Sequence, residues 1–170
     1  MRTITKIGVP LVGGALAIAT PLISHFEGGR NAAYLDPVGI PTVCYGHTAT
    51  ARIGQTHTDA ECLALLEQDL GTAFDAVDQH VDVALPPTRR AALASFVYNV
   101  GEGALQRSTL LRKLNAGDVV GACNELRRWV YAKGRKLSGL VRRRKAEREL
   151  CLIGTESGTM IAGQLSGAGS

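Results

Sequence analysis

Between Lys6 and His25 the chain carries no charged side chain; residues 7–24 read IGVPLVGGALAIATPLIS. An ordinary solvated surface helix is excluded over that span. Cysteine is absent from residues 1–43, so thiol exchange from this segment is excluded too. The four cysteines further on, Cys44, Cys62, Cys123 and Cys151, form no C-x-x-C pair and no Cys/His ligand spacing. A structural zinc site is therefore not expected, and nothing calls for a metal or a cofactor. No internal repeat is visible, and the basic run VRRRKAERE at 141–149 contains no aromatic residue. A stacking surface for nucleic-acid bases is missing, and Glu147 and Glu149 suit i,i+4 pairing on a solvated helix. No nucleic-acid partner is expected.

At 170 residues the chain has room for one domain with a real core and not for two. Its 45% hydrophobic and 20% charged residues are ordinary for a soluble protein, while its 20 glycines sit mostly towards the ends. The middle must carry the fold. A net charge of +4 favours polyanions, whether nucleic acid, anionic lipid or bacterial wall.

The N-terminus starts with Arg2 and Lys6 ahead of the uncharged segment. That segment is longer than a secretory apolar region and weaker than a full membrane helix, being diluted by Gly8, Gly13, Gly14, Pro10 and Pro21. Basic residues ahead of it keep the N-terminus in the cytoplasm and export the chain beyond Ser24. Ala17-Ile18-Ala19 matches a small-x-small cleavage site, so a removable signal peptide is an alternative. A Gly/Ala-rich core helix in a cytosolic protein is a third. In an exported chain four cysteines allow three disulfide pairings, and sequence does not choose among them. Neighbour pairing, Cys44 with Cys62 and Cys123 with Cys151, would staple each half separately; four buried free thiols are the other possibility.

Gly28-Gly29 stops a helix at Glu27. Asp36-Pro37-Val38-Gly39 reads as a turn before the strand-prone Thr42-Val43-Cys44-Tyr45, giving a small hairpin or a three-stranded sheet. Thr58 and Glu61 form a capping box ahead of Leu63, Leu66, Leu70, Phe74 and Val77 at helical spacing. After Pro86-Pro87 a helix with Leu93, Phe96, Val97 and Val100 on one face runs to Gly101. A short helix over Leu110–Asn115 ends at Gly117. Asp118 caps a helix expected to run through VVGACNELRRWVYAKG with Val119, Cys123, Leu126 and Val130 inside, and Ser138 is expected to cap the last helix, which ends at Gly154. From Thr155 the chain reads as a flexible tail. The fold class is α+β, mostly α: one helix, a small sheet and about five further helices.

Hydrolysis of a glycosidic bond requires a protonated carboxyl to donate to the leaving oxygen and an ionised one to act as base or nucleophile. Glu27, at the negative end of a helix with apolar chain behind it, suits the acid. Asp36, in a turn rich in free backbone N–H groups, suits the base, and Thr42 offers a hydroxyl to orient a water.

FEGGRNAAYLDPVGIPTVCYGHT (26–48) resembles the active-site stretch of the phage-type lysozymes, glycoside hydrolase family 24, in Glu27-Gly28, Tyr34, Asp36, Gly39, Thr42 and Gly46-His47. The likeness continues through SFVYNVG (95–101), STLLRKLNAGD (108–118) and the stretch from Arg127 to Leu152, and so covers roughly 25–153. Within the family the chain is most similar to lambdoid phage endolysins that begin with a signal-anchor-release segment, and these also carry cysteines after the catalytic Thr and in later helices. Cys44 departs from the Gly that many cytosolic members have there.

The resemblance implies a lysozyme-like fold with a sheet lobe and a helical lobe flanking a cleft. It implies a muramidase that cuts between N-acetylmuramic acid and N-acetylglucosamine in peptidoglycan for host cell lysis, with Glu27 as acid and Asp36 and Thr42 activating water. Attack with inversion needs carboxyl groups about 6.5–9.5 Å apart. The implied organisation is an anchor over 1–24, a catalytic domain over 25–154 and a tail over 155–170. Its partners are peptidoglycan and, before release into the periplasm, the inner membrane through residues 7–24; a monomer is expected. His47 is read as a structural histidine, Tyr98 and Asn99 as lining cleft or core, and Trp129 as core.

Overall fold

The first helix, α1, spans Val12–Glu27 and presents Ala15, Ala19 and Ile23 at four-residue spacing, all fully buried. The computed structural model describes residues 12–155. The expected basic start at Arg2 and Lys6, the first part of the apolar segment and the tail after Thr155 lie outside the described residues. Small side chains let α1 approach the rest closely: a Cβ on Gly14 would stand 3.7 Å from the Pro87 side chain. Residues 12–24 of the uncharged segment thus form a core helix packed against the helices over 59–80 and 87–100. Among the described residues no helix is long and apolar enough to cross a membrane.

Gly28, at φ +66°, ends α1 as its spacing predicts. Strand β1, Arg30–Leu35, then pairs antiparallel with β2, Pro41–Cys44, in a register that sets Tyr34 opposite Thr42 and Leu35 opposite Pro41. Among the described residues this sheet has two strands rather than three. Helix α2, Asp59–His80, opens on the expected capping box: Thr58 Oγ1 accepts from the Glu61 N–H, and Glu61 accepts from the Thr58 N–H at 2.7 Å. The Thr58 N–H and hydroxyl, both donating to Glu61 Oε2, hold that carboxyl below its ordinary value. The buried face of α2 starts at Cys62; Leu63, expected inside, points to solvent. A disulfide between Cys44 and Cys62 ties the hairpin to this helix.

Helix α3, Pro87–Val100, is buried along Ala91–Val97 on every side, not on one face, because α1, α2 and the last helix, α7 (Ser138–Leu152), all pack on it. It is the axis of the molecule. Short helices α4 (Glu102–Gln106), α5 (Thr109–Asn115) and α6 (Val119–Glu125) come next, with Asp118 capping α6 through the Gly121 N–H. The expected long helix from Asp118 stops at Glu125. One 3-10 turn over 126–128 leads into a tight hairpin, β3 (Tyr131–Ala132) and β4 (Arg135–Lys136), whose turn residues Lys133 and Gly134 both have positive φ. Helix α7 begins after Leu137 with no side-chain cap, so Ser138 does not play the role its position suggested. A second disulfide, Cys123 to Cys151, joins α6 to α7. Of the three possible pairings, the structure has the neighbour one.

Candidate active site

Glu27 is the last residue of α1, three-quarters buried, and lines a cavity of about 740 Å³ with Asn99 from α3 and Ser138, Arg142 and Arg143 from α7. Its Oε1 accepts from Arg143 Nη1 at 2.5 Å. Arg143 is itself buried and fully engaged: Nε donates to Glu147 Oε1 at 3.1 Å, and Nη2 donates to the Ser95 carbonyl at 3.1 Å. Glu147 is completely buried, and accepts as well from Ser95 Oγ at 2.6 Å and from Arg144 Nη1. Burial pulls the Arg144 guanidinium down from its ordinary value, and the Glu147 carboxylate opposes that shift.

Three of the nine residues in the VRRRKAERE run are therefore interior. The expectation of Glu147 on a solvated face is corrected: Arg143, Arg144 and Glu147 turn inward, whereas Lys145 and Glu149 form the exposed i,i+4 pair at 3.9 Å. A signal for this existed. Leu140, Arg143, Arg144, Glu147 and Cys151 recur at helical spacing, so the face that buries Cys151 carries the charged residues with it.

Asp36 sits in the turn between β1 and β2. Its Oδ1 accepts from the backbone N–H groups of Val38 at 2.9 Å and Ile40 at 2.8 Å, and its own N–H donates to the Ile40 carbonyl at 3.0 Å. Oδ1 is saturated by the turn, so Oδ2 is the oxygen open to other partners. Gly39, at φ +85°, allows this geometry. Thr42 begins the inner part of β2 and is buried; its hydroxyl donates to the Ile40 carbonyl at 3.0 Å, which leaves its lone pairs to accept.

Besides the Cys44–Cys62 disulfide, two hydrogen-bonded contacts fix the hairpin region to the helices. His47 is buried between Asp69 of α2, 2.9 Å from Nδ1, and Thr50. Because the Thr50 N–H donates to Nε2 at 3.2 Å, Nε2 is an acceptor and Nδ1 carries the proton towards Asp69. It is the bracing histidine expected from sequence. Tyr98 donates from its hydroxyl to the Tyr45 carbonyl at 2.8 Å, and burial, with Asp69 and Glu27 adding to it, pushes that hydroxyl up from its ordinary value. Tyr98, with Asp69, lines a second cavity of about 340 Å³ on the hairpin side. Asn99 opens on the Glu27 side, and Trp129 packs edge-on to Phe96 at 5.1 Å as part of the core. Arg143, Arg144 and Glu147 had no assigned place in the site from sequence.

A helical lobe, a small hairpin lobe, and carboxylates on both define a glycoside hydrolase of the lysozyme type. The phage lysozyme family profile matches residues 24–147, and the chain belongs to that family. It is a muramidase. Among its relatives is a SAR-endolysin of Bacteriophage PS119, 50% identical over 151 residues, covering 85% of this chain and 90% of that protein. Among solved structures, the muramidase domain of SpmX from Asticaccaulis excentricus is 36% identical with a TM-score of 0.75, covering 79% of this chain and 95% of that one. The active form of the P1 phage endolysin Lyz is 27% identical with a TM-score of 0.73, covering 85% and 93%.

Proposed function

We propose that Glu27, Asp36 and Thr42 carry the muramidase reaction on peptidoglycan. Glu27 gives its proton to the leaving glycosidic oxygen, and the carboxylate so formed is left against the Arg143 guanidinium. Asp36, through Oδ2, takes a proton from a water whose O–H is accepted by Thr42; the hydroxide oxygen bonds to the anomeric carbon from the opposite face as the glycosidic bond breaks. The product is inverted. The observation that carries this reading is the position of Glu27 on the wall of a cavity of about 740 Å³ with a buried cation on its oxygen. Turbidity loss of outer-membrane-permeabilised cells tests it: Glu27→Gln is expected to abolish lysis, and lysis at the wild-type rate would remove the proposed acid.

The same reading extends to the N-terminus, where we take residues 1–24 as an anchor retained in the active enzyme. Ala15 and Ala19 are fully buried in the helix that ends at Glu27. Cleavage after Ala19 would strip both from the core and leave a helix too short to nucleate well. Likeness to the active form of the P1 endolysin supports taking this arrangement as the released one. Before release, residues 7–24 sit in the host inner membrane and Glu27 is held at the lipid interface, away from α3 and α7. After release the enzyme works in the periplasm, as a monomer. N-terminal sequencing of the active enzyme checks this, and a mature start at Thr20 would overturn it.

A further inference from the structure

Glu27 must carry a proton in order to donate one, yet it is bonded to an arginine. Arg143 and Arg144 bring two positive charges into the protein interior, and among the described residues the fully buried anion between them is Glu147. With Glu27 ionised the cluster is neutral; with Glu27 protonated it holds one surplus positive charge. Without Glu147 it would hold two. A buried guanidinium does not give up its proton, so the balance must come from carboxylates.

Glu147 also fixes geometry on both sides. Its Oε1 takes Arg143 Nε, which aims Nη1 at Glu27. Its Oε2 takes Arg144 Nη1, which leaves Arg144 Nη2 on Asn99 Oδ1 and Nε on the Trp129 carbonyl at 3.2 Å. A guanidinium only donates, so the oxygen of the Asn99 amide is committed inward and its NH2 is the group presented to the cavity.

We propose that Glu147, fully buried and out of reach of substrate, is the positioning residue of the site: one carboxylate holds Arg143 on Glu27 and Arg144 on Asn99, and its charge lets Glu27 keep a proton beside a cation. This rests on the reading of Glu27 as the acid. The groups facing Glu27 are Arg142 and Arg143 from α7 with Arg144 behind them, Tyr98 from α3, and His25 on α1 itself. None of them is an anion, so Glu147 is the anion that the helical side supplies.

The test is the pH profile of kcat/KM for dye release from purified peptidoglycan by the full chain. General-acid donation ends where Glu27 loses its proton, on the alkaline limb. In Glu147→Gln that limb is expected to move to lower pH by about one unit, the scale of a close charge contact. In Arg144→Met, which removes a cation and keeps Glu147, it is expected to move to higher pH. The double variant Glu147→Gln/Arg144→Met is expected to return the limb close to wild type while the rate stays low, since Asn99 has lost its donor. A limb that stays at the wild-type pH in folded Glu147→Gln or in Arg144→Met overturns the proposal. Should Glu147→Gln fail to fold, the comparison of Arg144→Met with the double variant decides: a limb at the same pH in both would show that the Glu147 charge does not act on Glu27 and would overturn the proposal. Wild-type kcat/KM in Glu27→Gln would show instead that the underlying assignment of the acid is wrong, whatever the limbs do.

Discussion

The two carboxylates of the site are held in opposite ways. Glu27 owes its setting to residues far away in the chain: Arg143 is 116 positions on, and behind it stand Ser95 and Glu147. Asp36 owes its setting to its own turn, with donors two and four positions ahead. One lobe places its proposed catalytic carboxyl through tertiary charge pairing, the other through local backbone geometry. The proposed acid should therefore fail when the fold is loosened, and the proposed base when the turn is altered.

The sharpest break is removal of each carboxyl in turn. Glu27→Gln and Asp36→Asn are each expected to lower lysis by about 10²–10⁴-fold, the range of general acid–base contributions; Asp36→Asn keeps the Oδ1 acceptor of its turn and should leave the melting temperature unchanged, whereas Glu27→Gln removes the charge opposite buried Arg143 and should lower it. Arg143→Met comes next. It strands Glu27 and leaves Glu147 with Arg144 alone as its cation, and breaking a buried pair in this way costs about 3–5 kcal/mol. Both lysis and thermal stability should fall. A variant that keeps wild-type stability would show that the network does not hold the helical lobe together.

The disulfides separate the lobes more gently. In the chain-entropy account the 18-residue separation of Cys44 and Cys62 and the 28-residue separation of Cys123 and Cys151 are each worth about 3 kcal/mol. Cys44→Ala/Cys62→Ala is expected to loosen the hairpin, whose own buried cluster is only Val43, Cys44 and Cys62 among the described residues, and to lower activity at temperatures where the helices stay folded. Cys123→Ala/Cys151→Ala should lower the melting temperature while leaving activity intact below it. Parallel melting curves by circular dichroism and lysis rates against temperature check both, and equal behaviour of the two variants would deny the difference between the lobes.

The same contrast decides what could be read from sequence. The capping box at Thr58 and Glu61, the stop at Gly28 and the turn at Asp36 to Gly39 are local, and each is where its residues place it. The inward turn of Arg143, Arg144 and Glu147 left only a weak signal, their helical spacing with Cys151, because charge normally marks a solvated face and here pairing offsets the cost of burial. The long helix expected after Asp118 failed for a related reason. Its apolar stripe at Cys123, Leu126 and Val130 does face the core, but the chain reaches Val130 through a 3-10 turn rather than a continued helix. Burial pattern alone does not distinguish the two.

The smallest effect is expected at Gly39, and it tests the local half of the comparison most directly. Among the described residues no atom lies within 4 Å of where a Cβ would stand, so Gly39→Ala adds no clash. What it adds is the strain of holding an L side chain at φ +85°, about 1 kcal/mol. If that strain is relieved by rotating the turn, the Val38 and Ile40 N–H groups move off Asp36 Oδ1 and the carboxylate loses its aim. A strain of this size can lower kcat/KM by at most about fivefold. Glu27 and its arginines are untouched, so the alkaline limb of the pH profile should stay where it is. A rate that falls with that limb unmoved assigns the loss to the aim of Asp36; a limb that moves with the rate would mean that the turn and the buried ionic network are one coupled unit after all.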